Sequence, residues 1–299
     1  MMKSVQALQN RAISRTSSRT RSRAKPGGQA ASTAAWLSLS ALAALVVLPL
    51  LYIFNTSLKS NNTFLTAPFA PTLNPTLSQL RQAWHLAGMP GSLYNSLLTS
   101  IPAAVLLWIV CGMAAFGAVH VRFKGSNAML ILILTSILVP IQTVLFPLFV
   151  ELRNMALLNT YQGLILCFVT FGIPLTTFQF AAYFRAIPTS LIEAAKIDGA
   201  NTFQILWRII VPMSKPVLAV TGIVNIVWTW NDLFLPYTVI SSSTKMPMTA
   251  QLAILSNQQF ADSVPLLAAA AVLGVAPILI IYLFAQRQII SGLAAGGVK

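Results

Sequence analysis

Six long apolar runs dominate this 299-residue chain, at about 34–54, 93–119, 128–150, 161–184, 217–235 and 264–285. A helix rises about 1.5 Å per residue, so about 20 apolar residues cross a bilayer core of about 30 Å. Each run meets or nearly meets that length. The apolar residues within them are continuous rather than alternating, which selects helices over the strands of a membrane barrel. Only 8% of the chain is charged and 56% is hydrophobic, against about a quarter charged in a water-soluble domain. The expected fold is all-α: a polytopic membrane protein with six transmembrane helices.

Charge placement orients the spans. With the N-terminus in the cytoplasm, the inside segments 1–33, 120–127, 185–216 and 286–299 hold fifteen of the nineteen basic residues. Outside lie only Lys59, Arg81, Arg153 and Lys245. This positive-inside asymmetry puts both termini in the cytoplasm of a cell (inner or plasma) membrane protein. Segment 1–33 carries seven of the basic residues and no acidic one, and is expected to be a disordered tail lying against anionic lipid. A cleaved targeting peptide fits less well, because the following apolar run is too long. Nucleic-acid binding fits least, since no aromatic residues interleave with the arginines.

Few residues are available for catalysis. The chain has five acidic residues, Glu151, Glu193, Asp198, Asp232 and Asp262. Cys111, Cys167, His85 and His120 are scattered and read as structural, so no metal site and no catalytic residues are expected. No Gly-x-x-x-x-Gly-Lys phosphate loop occurs, so the chain holds no nucleotide of its own. Prolines at 102, 140, 147, 174 and 277 fall inside the runs, where neighbouring helices of a bundle can satisfy the freed backbone groups.

Segment 185–216 carries the functional argument. Ser190 and Glu193 stand at capping-box spacing, predicting a helix over 191–198 that ends at Gly199. Asn201 and Gln204 repeat the pattern for a second helix, expected to stop at Pro212. Phe203, Leu206 and Ile210 form an apolar stripe on it, widened by Trp207. Two short helices joined at a glycine would make a knob at the membrane surface. It could rest on the bilayer or plug into a cytoplasmic partner.

The fifth run is the polar one. Asn225, Trp228 and Asp232 fall on one helical stripe, with Asn231 beside it. Amide, carboxylate and aromatic face together suit a sugar, and an intramembrane carboxylate normally faces a cavity. The same residues would also serve packing or an interfacial belt. Asn55–Gly91, with the 236–262 loop, is expected to form an outer cap.

The stretch Glu193-Ala194-Ala195-Lys196-Ile197-Asp198-Gly199-Ala200, followed by Ile209-Ile210-Val211-Pro212, resembles the EAA signature of ABC-importer membrane subunits. It departs at Val211, where that family usually has leucine. Leu157-Leu158-Asn159-Thr160, Trp230-Asn231-Asp232 and Lys245-Met246-Pro247 are similar to the sugar-importer branch, in particular its maltose- and glycerol-phosphate-type second permease subunit. The resemblance spans 34–299 and implies a type I permease fold. It further implies that Glu193, Ala194, Ala195, Asp198, Gly199 and Ala200 couple the bundle to a separate ATP-binding subunit dimer, which holds ATP and Mg. The implied partners are a second, paralogous permease subunit, an extracytoplasmic solute-binding protein and a carbohydrate or polyol solute. Two alternatives stay open: an importer of the same type for a polyamine or phosphate ester, and an ion-coupled secondary transporter. The latter gives the 193–212 knob no purpose.

Overall fold

The structure, a computed structural model, describes residues 27–258 and 263–297. Residues 1–26, most of the expected basic tail, lie outside it, as do Asp262 and Lys299. The chain divides after Tyr52 into two units, and each is taken by itself. The first is the larger part of helix α1 (Gly27–Ser57). Its charge-free window from Ala35 is unburied, and Trp36, Leu37 and Leu45 each expose 70% or more of their surface. A helix apolar all round in this way is stable when buried, in a membrane or against other apolar helices.

The second unit begins with two short helices, α2 (Asn61–Thr66) and α3 (Ser78–Leu86). The end of α2 is held by Lys59, fully buried, whose Nζ donates to the carbonyls of Ala67 and Pro68 at 2.9 and 2.8 Å. Two long spans follow: α4 (Met89–Phe116), extended by a π-turn over Gly117–Val121, and α7 (Tyr161–Arg185). Between them, α5 (Ser126–Thr135) and α6 (Ile141–Asn154) meet at a bend of 100° instead of forming one continuous third span. The cause is local. Pro140 forces the preceding Val139 into extended backbone, with ψ 112°, and caps α6 from there. Pro102, Pro147, Pro174 and Pro277 all sit inside helices that continue through them.

After α7 come α8 (Thr189–Ile197), α9 (Thr202–Ile205), a π-turn over Leu206–Ile210, and α10 (Val211–Met213). Helix α11 (Lys215–Asn231) turns 76° away from them. It ends at Asn231, short of the expected 235, and a separate α12 (Phe234–Val239) follows. Helices α13 (Met248–Gln258) and α14 (Val264–Gly297) complete the unit. Among the described residues, four helices are long and apolar enough to span a membrane unbroken, and six spans result if each bent pair counts as one.

Two expectations about the 185–216 segment need correction. Ser190 does not cap α8: the helix starts at Thr189 with Pro188 at the cap position and no side-chain cap bond. Proline presets the helical entry, so Ser190 falls inside the first turn and Glu193 is released from capping. Nor does Pro212 stop the second helix. Val211 N–H reaches back five residues to Leu206, and this π-turn lets the chain pass through the proline as far as Met213.

One core joins these parts. Leu107, Cys111 and Ala115 of α4 pack with Leu164, Phe168, Phe180 and Phe184 of α7. Ile192, Ala195, Ile205, Leu206 and Ile210 belong to the same buried cluster. The short helices after α7 are therefore fastened to the bundle and do not swing as a loose loop. A second cluster sets Trp230 among Met89, Leu252, Leu266 and Ala269.

Candidate functional site

A cavity of about 800 Å³ opens where α11 faces α7 and the α5–α6 bend. Asn225, Trp228 and Asp232 all line it, opposite Ser136, Pro140 and Thr170. The sequence placed those first three on one stripe, and the structure brings them to one wall. Asn231 is different: it is exposed, does not line the cavity, and donates to the Val227 carbonyl at 2.8 Å. Trp228 meets Phe168 edge-on, with ring centroids 6.0 Å apart. Asp232 sits just beyond the last turn of α11, and its Oδ2 accepts the Leu235 N–H at 3.0 Å, capping α12. The carboxylate is half-buried and aimed from a helix break, so it both fixes the turn and faces the cavity.

Beside this wall runs a buried polar ladder that the sequence reading missed. Thr221, Asn225 and Thr229 recur every four residues along α11. Trp108 Nε1 donates to Thr221 Oγ1 at 3.1 Å, Asn225 Nδ2 to Thr176 Oγ1 at 3.0 Å, and Thr229 Oγ1 to Ser100 Oγ at 2.9 Å. Three hydrogen bonds thus tie α11 to α4 and α7 in a setting where an unpaired polar group is costly. The available signal was the i, i+4, i+8 spacing itself, overshadowed by the more sugar-like Trp228 and Asp232. Close approach depends on Gly172: a Cβ there would stand 2.6 Å from Leu107 Cδ1 and 3.3 Å from Asn225 Oδ1.

At the other end of α7 the short helices form the expected knob. Gly199 takes φ +79°, as a left-handed stop requires. Ala200 N–H donates to the Ala195 carbonyl at 2.9 Å and Gly199 N–H to that of Lys196 at 3.1 Å, the paired bonds of a Schellman turn. The Asn201–Gln204 capping box is complete, both bonds at 2.9 Å. Glu193, Ala194, Asp198 and Gly199 are exposed and Ala200 partly so, whereas Ala195 is buried against the bundle. The signature residues therefore divide between an outward and an inward face. The apolar stripe divides likewise: Leu206 and Ile210 are buried, while Phe203 and Trp207 stand outward, 5.9 Å apart. Ile197, passed over in the sequence, is 87% exposed at the end of α8.

Residues 109–294 match the family of binding-protein-dependent transport system inner membrane components. The chain belongs to this family. It is a transport permease subunit, a multi-pass protein of the inner membrane. The permease is 30% identical over 253 residues to a diacetylchitobiose uptake system permease protein of Streptomyces coelicolor, covering 84% of each chain. It is 32% identical to a trehalose transport system permease protein of Mycobacterium tuberculosis, covering 85% of this chain and 92% of that one. A multiple sugar-binding transport system permease protein of Streptococcus mutans is also 32% identical, with the same two shares covered. Among solved structures, a bacterial ABC transporter that imports the acidic polysaccharide alginate superposes with a TM-score of 0.75 at 22% identity, over 88% of the permease and 98% of that chain. The fold is accordingly the type I importer permease fold.

Proposed function

We propose that this permease subunit forms half of the translocation pathway of an ATP-driven importer for a carbohydrate or related polyol. The observation that carries the solute class is the cavity wall on which Asn225, Trp228 and Asp232 meet. The Asp232 carboxylate offers acceptors that match hydroxyls, the Trp228 indole covers the apolar face of a sugar ring, and Asn225, bonded to Thr176 and to the Thr221 carbonyl, fixes the same wall. Relatives named for their solutes support the same class, since they include permease proteins of a diacetylchitobiose uptake system and of a trehalose transport system.

The knob is the docking element for a separate ATP-binding subunit dimer, which supplies ATP and Mg. Glu193, Ala194, Ile197, Asp198 and Gly199 offer the exposed surface, and Ala195 with Ile192 anchors it to the bundle. Because α8 shares one core with α4 and α7, displacement of the knob displaces the spans. ATP-driven closure of the dimer thereby opens the cavity outward, toward a loaded extracytoplasmic binding protein, and hydrolysis resets it. Both termini are cytoplasmic, the second permease subunit is a paralogous chain, and the outer face is built on α2, α3 and the segment after α12.

The test is uptake of radiolabelled disaccharides by inverted and right-side-out vesicles carrying the assembled transporter. ATP-dependent accumulation that needs the binding protein, and that Asp232→Asn slows without altering assembly, is the expected result. Accumulation driven by an ion gradient alone, or a transporter indifferent to every sugar and polyol offered, would overturn the reading.

A further inference from the structure

A second constellation lies at the knob end of the bundle, away from the solute cavity. A polar cavity of about 350 Å³ is lined by His120, Arg122, Ser126, Asn127, Arg185 and Thr189. No carboxylate lines it, and neither arginine has an acidic partner among the described residues. Arg122 Nε donates to the Val119 carbonyl at 3.0 Å, which leaves the rest of its guanidinium unpaired. His120 is wedged between Phe116 and Phe184, centroids 5.7 and 6.2 Å away, and its Nε2 is fully buried with no hydrogen-bond partner. Two helices also begin here, α5 at Ser126 and α8 at Thr189, and neither has a side-chain cap. Their free first-turn N–H groups add positive potential to that of the arginines.

Asn127 and Arg185 also line a second cavity, of about 330 Å³. This one is apolar, running between α5 and α7 past Leu130, Leu134, Phe178 and Ala181. A cationic pocket and an oily groove thus share two residues, Asn127 and Arg185.

We propose that this paired cavity is a binding site for one anionic phospholipid. Its phosphate is received by Arg122, Arg185 and the first turns of α5 and α8, and one acyl chain lies in the α5–α7 groove. Charge complementarity selects an anionic headgroup. Continuity of the two cavities selects a lipid over a free phosphate ester, which would leave the groove uncovered. Because Thr189 opens α8, an occupied site braces the root of the knob against α5, making the lipid a structural part of that joint.

Native mass spectrometry of the detergent-purified, fully assembled transporter tests this, with phosphatidylglycerol, phosphatidylcholine and water-soluble glycerol 3-phosphate as probes. Wild type should hold one phosphatidylglycerol per copy of this chain at about tenfold lower concentration than phosphatidylcholine. The double variant Arg122→Gln/Arg185→Gln should lose that preference, while Lys124→Gln, which lies outside the cavity, should keep it. Leu134→Trp, which fills the groove with both arginines intact, should weaken phosphatidylglycerol binding about tenfold even if the double variant fails to assemble. Phosphatidylglycerol retained equally by wild type and Leu134→Trp would overturn the proposal. So would glycerol 3-phosphate binding as tightly as the lipid, which would assign the pocket to a soluble anion.

Discussion

Ala200 N–H donates to the carbonyl of Ala195 at 2.9 Å, folding the chain back across Gly199. Ala195 is buried in the bundle core and Gly199 is exposed, so this bond joins the anchored and free faces of the knob. The turn needs φ +79° at Gly199, and a Cβ there meets nothing within 4 Å. Any penalty for substitution is therefore conformational, about 1–2 kcal/mol for an L-residue held left-handed.

Gly199→Val should lower ATP-dependent uptake by about five- to thirtyfold while leaving membrane insertion intact, whereas Gly199→Asn, which tolerates the left-handed region, should keep most of the activity. Vesicle uptake normalised to the amount of inserted protein measures both. Equal loss in the two variants would show that something other than backbone conformation matters at this position.

Asp232 has two duties that substitution can separate. Asp232→Asn keeps an oxygen able to accept the Leu235 N–H, so α12 should remain capped and the melting temperature unchanged. Asp232→Ala removes the cap as well and should cost about 1 kcal/mol. If the carboxylate grips solute, both variants should weaken apparent uptake affinity, and only the alanine variant should melt earlier in detergent.

Asn225 is held by Thr176 and by the Thr221 carbonyl, with Nδ2 at 3.0 and 2.8 Å. Asn225→Leu leaves the Thr176 hydroxyl without this partner at a buried position and should destabilise the bundle by about 1–3 kcal/mol. Asn225→Leu with Thr176→Val removes both polar ends and should recover part of that loss, as a double-mutant cycle of thermal unfolding would report.

Gly172→Ala pushes a methyl group against Leu107 Cδ1 and toward Asn225 Oδ1. Overpacking of this kind costs about 1–3 kcal/mol. The companion change Leu107→Ala vacates that space but has its own cost of about 2–5 kcal/mol, so Gly172→Ala should cost less in the Leu107→Ala background than in wild type, as a double-mutant cycle of thermal unfolding would report. An equal cost in both backgrounds would mean that α4 and α7 can part at this level without strain.

The helical, membrane-spanning character was legible because a bilayer imposes one length on every crossing helix, and a run of apolar residues announces it without reference to partners; that two of the six spans are bent helix pairs was not. Gly199 and the Asn201–Gln204 box were legible for a similar reason: turn and cap chemistry acts within a few residues. Ser190 shows the limit of local reasoning, since Pro188 offered a competing start two residues earlier. What only the tertiary structure decided involves partners distant in the chain. The 100° bend at Pro140 places Ser136 opposite Asn225, and no local pattern says that a proline in one run faces an amide in another. Trp108 with Thr221, Thr176 with Asn225 and Ser100 with Thr229 likewise pair across 113, 49 and 129 residues. Apolar length is a property of each segment alone, whereas which polar groups meet inside the bilayer depends on how the segments are rotated and bent against one another.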